Sequence, residues 1–360
     1  MSKYKVSVYA ICKNEEQFVD SWYDSMKEAD EIYVLDTGSD DDTVDKLKEK
    51  GINVVVEKVI PWRFDVARNK SLDLVSEDTD ICVCTDLDEV FESGWREKLE
   101  KYWSEGTTRG FYNYIWSFDK NNNPAVNFYI EKMHSRFDYR WTHPVHEVLS
   151  YCGNDCEKRT FIDEITLKHY PDSTKSRSSY LPLLELSVSE YPNDDRNMHY
   201  LGREYMYYGM WEKCIDTLLK HLELPTATWK DERSASMRFI ARSYKNLDKI
   251  NLARIWLEKS INETPYLREP LVEMGMLEYN EKNYSKAIIY LEKALEIKDR
   301  YKSYINEPFC YDATIYDLLS ICKFNTGEYK DSLYYVTKAL KIDNSDERII
   351  NNRKIIEEKI

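Results

Sequence analysis

Ile81-Cys82-Val83-Cys84-Thr85-Asp86-Leu87-Asp88-Glu89 decides the fold: five uncharged residues run directly into three carboxylates. A continuous apolar run of this length reads as a strand buried on both faces. Its acidic end would carry Asp86 and Asp88 together beyond the strand's carboxyl edge, with Leu87 turned away between them. An Asp-x-Asp triplet alone says little, because Asp40-Asp41-Asp42 and Asp78-Thr79-Asp80 also fit and a solvated acidic turn explains any of them. Only the triplet at 86 follows an apolar strand directly. Paired carboxylates there suit a hard divalent cation bridging two phosphates.

Working outward, apolar strands alternate with helical stretches. The patterns predict strands over 5–11, 31–35, 52–57 and 81–85, and helices over 15–27, 42–49 and 65–75. Such a βαβ series implies an α/β domain whose parallel sheet is covered on both faces, with ligands bound where the strands' carboxyl ends meet helix N-termini. Polar loops fall at three of these ends, around Asn14, at Asp36-Thr37-Gly38-Ser39-Asp40, and at Asp86 to Glu89.

From about residue 180 the strand signal gives way to helical patterns in which a small residue recurs. Gly202, Ala241, Gly275 and Ser320 stand 39, 34 and 45 residues apart, each followed by a second set of apolar positions. The pattern resembles tetratricopeptide repeats, in which small residues sit where two helices cross closely. Four helical hairpins are expected, with the largest insertion at 299–311 and a capping helix over 346–360. Two domains follow, an α/β domain over 1–175 and an all-α repeat domain over 176–360, a natural division for 360 residues.

Composition narrows the function. A formal charge of −14 argues against a sequence-independent grip on nucleic acid, which needs many cations to displace counterions from phosphates. No run approaches the roughly 20 apolar residues needed to span a bilayer, and no signal-peptide layout is present, so a cytoplasmic chain is expected. The eight cysteines are scattered, and Cys12, Cys82 and Cys84 sit within strand patterns as reduced core thiols. Cys152 and Cys156 are close enough for a metal pair or a disulfide, but no second ligand pair with zinc spacing accompanies them.

Two further segments bear on the acidic strand end. Trp62-Arg63-Phe64-Asp65-Val66-Ala67-Arg68-Asn69 offers guanidinium groups that bind phosphates bidentately and aromatic faces that stack on bases, which fits a nucleoside diphosphate. Thr142-His143-Pro144-Val145-His146-Glu147 lacks the helical spacing of a metalloprotease motif. Taken with Ala10-Ile11-Cys12-Lys13-Asn14-Glu15-Glu16, Leu35-Asp36-Thr37-Gly38-Ser39 and Thr85-Asp86-Leu87-Asp88-Glu89, these segments resemble the family 2 glycosyltransferases of the GT-A fold over roughly residues 5–175. The appended repeats further resemble the peptide cysteine S-glycosyltransferases that modify bacteriocins, and related protein or polysaccharide transferases.

The resemblance implies a Rossmann-like mixed sheet and a metal-dependent inverting transfer of a hexose or N-acetylhexosamine from a nucleotide sugar, with UDP-sugar as the expected donor. The acceptor would be a protein, peptide or glycan. Ala10, Asn14, Asp36, Arg63, Arg68 and Asp86 would contact the nucleotide sugar. Asp86, Asp88 and His169, the last following a strand over 161–167, would hold Mn2+ or Mg2+, for which imidazole is an acceptable ligand. A hydrogen-bonded interfacial histidine accounts for His169 equally.

Glu147 is the candidate general base and Glu89 its alternative, with Glu147 as support for Arg136 or Trp141 the structural reading. The rival from another class is an inactive domain that binds nucleotide sugar within an interaction scaffold, and intact Asp36, Arg68 and Asp86 speak against it. A nucleotidyltransferase would need a Gly-rich loop after the first strand, which Lys13-Asn14-Glu15 does not supply. The superhelix of repeats would hold the acceptor or another subunit, including a second copy of the chain.

Overall fold

The computed structural model describes residues 3–119, 122–172, 180–300 and 303–360. The chain forms two compact units that divide between Ser187 and Val188, with Tyr304 grouped with the first.

The first unit opens with β1 (Val6–Cys12), α1 (Val19–Met26), β2 (Glu31–Asp36), α2 (Thr43–Glu49), β3 (Asn53–Val56), α3 (Phe64–Asp73) and β4 (Ile81–Thr85). It continues with β5 (Glu89–Phe91), α4 (Trp95–Tyr102), β6 (Arg109–Phe118), β7 (Pro124–Ser135), β8 (Tyr139–Thr142), β9 (Val148–Tyr151) and β10 (Arg159–His169). Eight strands form one sheet in the order β3-β2-β1-β4-β7-β6-β10-β5, and β8 and β9 pair as a separate hairpin.

Two-sided burial explains the uninterrupted apolar runs. Along β1, Val6, Val8, Ala10 and Cys12 pack on one face with Val34, Val83 and Trp22, whereas Tyr9 packs on the other with Cys82, Cys84 and Trp141. Alternation is present in space but invisible in hydropathy, because both faces are covered.

The sheet is mixed, which corrects the all-parallel arrangement suggested by the βαβ periodicity and agrees with the GT-A expectation. β3, β2, β1 and β4 run parallel, but β7 lies antiparallel to both β4 and β6, and β5 antiparallel to β10. Only five residues separate β6 from β7, too few for a helical crossover of about a dozen. Helix α1 also starts later than the expected 15, because Asn14 adopts a left-handed φ of 53° and the Glu15 amide donates to Thr43 Oγ1 at 2.8 Å instead of entering a helix. Cys152 and Cys156 are exposed free thiols.

Helix α5 (Tyr180–Glu190) straddles the division. The second unit then pairs α6 (Asp195–Tyr207) with α7 (Trp211–Glu223), α8 (Lys230–Asn246) with α9 (Ile250–Glu263), α10 (Arg268–Asn280) with α11 (Tyr284–Glu296), and α12 (Thr314–Asn325) with α13 (Tyr329–Ile342). These are the four expected hairpins. The long interval before the last pair holds a 3-10 turn, Pro308–Cys310, whose cysteine is buried in the core of the third and fourth hairpins. Helix α14 (Glu347–Glu357) caps the array by packing Ile349 and Ile356 on Val336 and Ala339. No helix among the described residues is long and apolar enough to cross a membrane.

Each recurring small residue lies under the second helix of its hairpin. A Cβ on Gly202 would stand 2.3 Å from Leu218 Cδ2, and one on Gly275 would stand 2.6 Å from Leu291 Cγ. Ala241 packs against Ala253 and Leu257, and Ser332 Oγ donates to the Ser320 carbonyl at 2.8 Å. Gly275→Val is expected to destabilise the protein by about 1–3 kcal/mol through overpacking. In urea denaturation, the double variant Gly275→Val/Leu291→Ala should lose less than the two single losses combined.

Candidate active site

Three strand ends deliver the predicted polar residues to one edge of the sheet. β2 ends at Asp36, β4 at Thr85 immediately before Asp86, and β1 at Cys12. The last boundary corrects the placement of Ala10, which lies inside the strand with its side chain in the core rather than at the strand end.

Asp36 is fully buried and accepts from the Gly38 and Ser39 amides at 2.9 Å each, while the Ser39 hydroxyl donates to its other oxygen. Gly38 supplies the φ of 109° this turn requires. Asn14 ties the neighbouring loop to it: its amide nitrogen donates to Asp40 Oδ1 at 2.7 Å, and its oxygen accepts from the Asp40 amide at 2.9 Å. Asp36 and Asn14 thereby fix the shape of the two loops.

Arg68 lies on α3 with its guanidinium almost wholly enclosed. Nη2 donates to Asp86 at 2.8 and 3.1 Å, Nε donates to Glu147, and the group sits 5.1 Å from the Trp141 ring. Arg63 pairs instead with Asp65, two residues away, at 3.0 and 2.9 Å. Asn69 exchanges two hydrogen bonds with the Trp141 backbone, at 2.8 and 2.9 Å, so α3 holds β8 and the turn that carries Glu147. Arg136 turns elsewhere, to the Val75 carbonyl, so Glu147 orients Arg68 rather than Arg136.

A second, half-buried cation completes the cluster. Lys132, on β7, places Nζ 3.2 Å from Asp86 Oδ2 and 3.2 Å from Glu89 Oε1. Glu89 is enclosed, with Oε1 also accepting from the Tyr114 hydroxyl at 2.7 Å and Oε2 from the Asp86 amide at 2.9 Å. Burial alone would raise the Asp86 carboxyl, but Arg68 and Lys132 outweigh it and hold the group well below the usual carboxylate range. Burial pushes Glu89 up despite Lys132.

Asp88 and His169 stand beside this cluster, with Nε2 3.3 Å from Asp88 Oδ2. The imidazole stacks on Trp116 at 4.3 Å, and its Nδ1 lies 3.0 Å from the Trp116 carbonyl. A carbonyl can only accept, so Nδ1 carries the proton and Nε2 faces Asp88 as a lone pair when the ring is neutral. Burial lowers the basicity of His169, but Asp88 more than compensates and the net shift is upward.

This donor set fits a divalent cation. Four carboxylates, Asp86, Asp88, Glu89 and Glu147, face two permanent cations, and one imidazole nitrogen is aimed at the least neutralised of them.

Lys132 is the site residue that sequence reasoning missed. Lys132 carried a signal only in hindsight, since Val83 pairs with Met133 and the register therefore delivers Lys132 to the end of β4.

Residues 7–152 match the family model described as Glycosyl transferase family 2, and residues 269–301 match that described as Tetratricopeptide repeat. The chain thus carries a family 2 glycosyltransferase domain followed by tetratricopeptide repeats. No curated protein matches the chain. Among solved structures it is similar to MamA, at 18% identity over 47% of this chain and 83% of that one, with a TM-score of 0.36. It is also similar to YrrB, described as a TPR protein with an unusual peptide-binding site, at 14% identity over 49% and 82% of the two chains, with a TM-score of 0.37. MamA 41-end from Desulfovibrio magneticus RS-1 aligns at 15% identity over 47% and 86%, also with a TM-score of 0.37.

Removing one partner from a buried ionic cluster leaves charge uncompensated. Lys132→Met is therefore expected to cost about 3 kcal/mol at pH 7 in denaturant titrations. Asp86 is held below its unfolded value, so its contribution is complete above the usual carboxylate range, about pH 4, and fades as pH falls through the folded value. The gap between wild type and variant should narrow as the pH drops below about 4, where protonation removes the charge left unpaired.

Proposed function

We propose that the protein is a metal-dependent inverting glycosyltransferase that moves a hexose or N-acetylhexosamine from a UDP-sugar to a protein, peptide or glycan acceptor. The observation that carries this reading is the Arg68–Asp86–Lys132 cluster at the end of β4 with Asp88 and His169 beside it.

In this reading the Asp36 turn and the loop braced by Asn14 receive the base, with Arg63 and Arg68 near the ribose and diphosphate. Asp88 and His169, together with Asp86, hold Mn2+ or Mg2+, which when bound neutralises charge on the departing diphosphate. The acceptor's nucleophilic atom attacks the anomeric carbon from the face opposite the diphosphate, the bond to the diphosphate oxygen breaks, and the acceptor's proton passes to a carboxylate. Glu147 takes that role better than Glu89, because its side chain is 12% exposed against 1%. Arg68 then positions the base and the donor's carboxylate partner together.

The repeats would present a protein or peptide acceptor, or a second copy of the chain, along their superhelix. One observation favours the inactive-scaffold reading: Asp86 already has both oxygens paired to Arg68 and Lys132. Turnover separates the two readings.

Incubation with Mn2+ and a panel of nucleotide sugars, followed by measurement of released nucleoside diphosphate, should show hydrolysis or transfer from a UDP-sugar. Asp88→Ala should reduce that turnover by about 100-fold or more. Absence of turnover for every donor would sink the enzyme reading, whether or not a donor binds, and full activity in Asp88→Ala would sink the metal assignment.

A further inference from the structure

The second unit contains a cluster of acidic and imidazole groups that the transferase reading does not use. Asp195 opens α6, Glu232 lies in the first turn of α8, and His221 lies in the last turn of α7. One ligand atom from each residue falls within 4.8 Å of the other two. The antiparallel course of successive helices brings these three ends together.

Acidic residues in a first helical turn have an ordinary explanation in the helix dipole. That explanation does not extend to His221, which is fully buried, with Nε2 lacking any hydrogen-bond partner although it lies 3.3 Å from Glu232 Oε1. The distance is within reach of an ion pair, but the direction is wrong for an N–H bond.

The far side of the ring is organised. His221 Nδ1 lies 3.0 Å from Ser236 Oγ, and Ser236 Oγ lies 2.7 Å from His199 Nδ1. His199 and Ser236 stand one turn beyond Asp195 and Glu232 on the same two helices, and both are fully buried. A hydroxyl has one proton to give, so one imidazole donates to Ser236 and the other accepts from it. With His221 Nδ1–H as the donor, both Nδ1 atoms and the hydroxyl are paired, and besides His221 Nε2 only His199 Nε2 in this chain of contacts is left without a hydrogen-bond partner. This arrangement leaves His221 Nε2 as a lone pair directed at two carboxylates. An imidazole lone pair and two carboxylate oxygens within 4.8 Å of one another form a ligand set that a cation between them stabilises, and an outer hydrogen bond fixing the tautomer is what a histidine ligand requires.

We infer that Asp195, His221 and Glu232 bind a divalent transition-metal ion, Zn2+ before Mn2+ or Mg2+, as a clamp joining the α6/α7 hairpin to α8. One imidazole nitrogen selects against Mg2+ and Ca2+, and the usual order of stabilities places Zn2+ above Mn2+. Two carboxylates neutralise the ion. Tetrahedral bonds of about 2.0–2.1 Å would draw the ligand atoms to about 3.3 Å from one another, a closure within side-chain rotation, with water as the fourth ligand.

Co2+ serves as the spectroscopic probe, in the full chain after chelator treatment. Asp88→Ala/His169→Ala is used as background so that the glycosyltransferase site does not contribute. That protein should bind about one equivalent of Co2+ with visible d–d bands, which Zn2+ displaces, and Zn2+ should raise its unfolding temperature. Adding His221→Ala should abolish both effects. Glu232→Gln keeps volume and helix while removing the anionic ligand, so it should weaken Co2+ binding by about tenfold or more even if His221→Ala fails to fold. Absence of Co2+ binding in the background protein overturns the site. Bands that survive Glu232→Gln unchanged, or that show thiolate charge transfer from cysteine, overturn it equally.

Discussion

The buried guanidinium of Arg68 is the constraint on which the first unit depends. It is enclosed between Asp86 at the end of β4 and Glu147 in the β8–β9 turn, with Trp141 against its face. Removing such a group from water costs several kcal/mol, and the cost is recovered only when each hydrogen-bonding direction has a partner. The fork of donors meets that condition because its three neighbours are held in place: α3 and β8 hold each other through Asn69 on the Trp141 backbone, β4 is held by its place between β1 and β7, and β8 also by the Trp141 indole on the Tyr9 hydroxyl. Site geometry and core packing are therefore one problem in this domain.

Lys132 extends the same logic to Glu89, and the two cations together explain how so many carboxylates coexist below the surface. Asp88 and His169 stay outside this neutralised core. An acidic strand end thus separates into an inner carboxylate, Asp86, held between Arg68 and Lys132, and an outer one, Asp88, beside His169.

Much of this was legible in the sequence. The strand before Asp86 announced itself because both faces of β4 are covered, and the loops at Asn14 and Asp36 announced themselves by polarity at strand ends. The mixed character of the sheet did not follow from periodicity, since β6 and β7 are long strands rich in aromatics whose pairing depends on a five-residue connection rather than on any pattern. Lys132 was illegible for the same reason: a lone cation in an aromatic strand becomes a site residue only through register with β4. In the repeats, Gly202 and Gly275 were readable because close helix crossing demands the absence of a side chain. The His221 cluster was not, because its members lie on three helices with no ligand spacing in the chain.

The measurement that bears most directly on the role of Arg68 is a calorimetric titration of UDP, in the presence of Mn2+, into the wild-type protein and Arg68→Lys. Lysine keeps the charge but loses the fork that holds Asp86 and Glu147 at once. Wild-type protein should bind UDP in a Mn2+-dependent manner, and Arg68→Lys, still folded by circular dichroism, should bind it about tenfold more weakly or worse. Failure of the wild type to bind UDP, or equal binding by the two proteins, would contradict the assignment of this cluster as the nucleotide-sugar site.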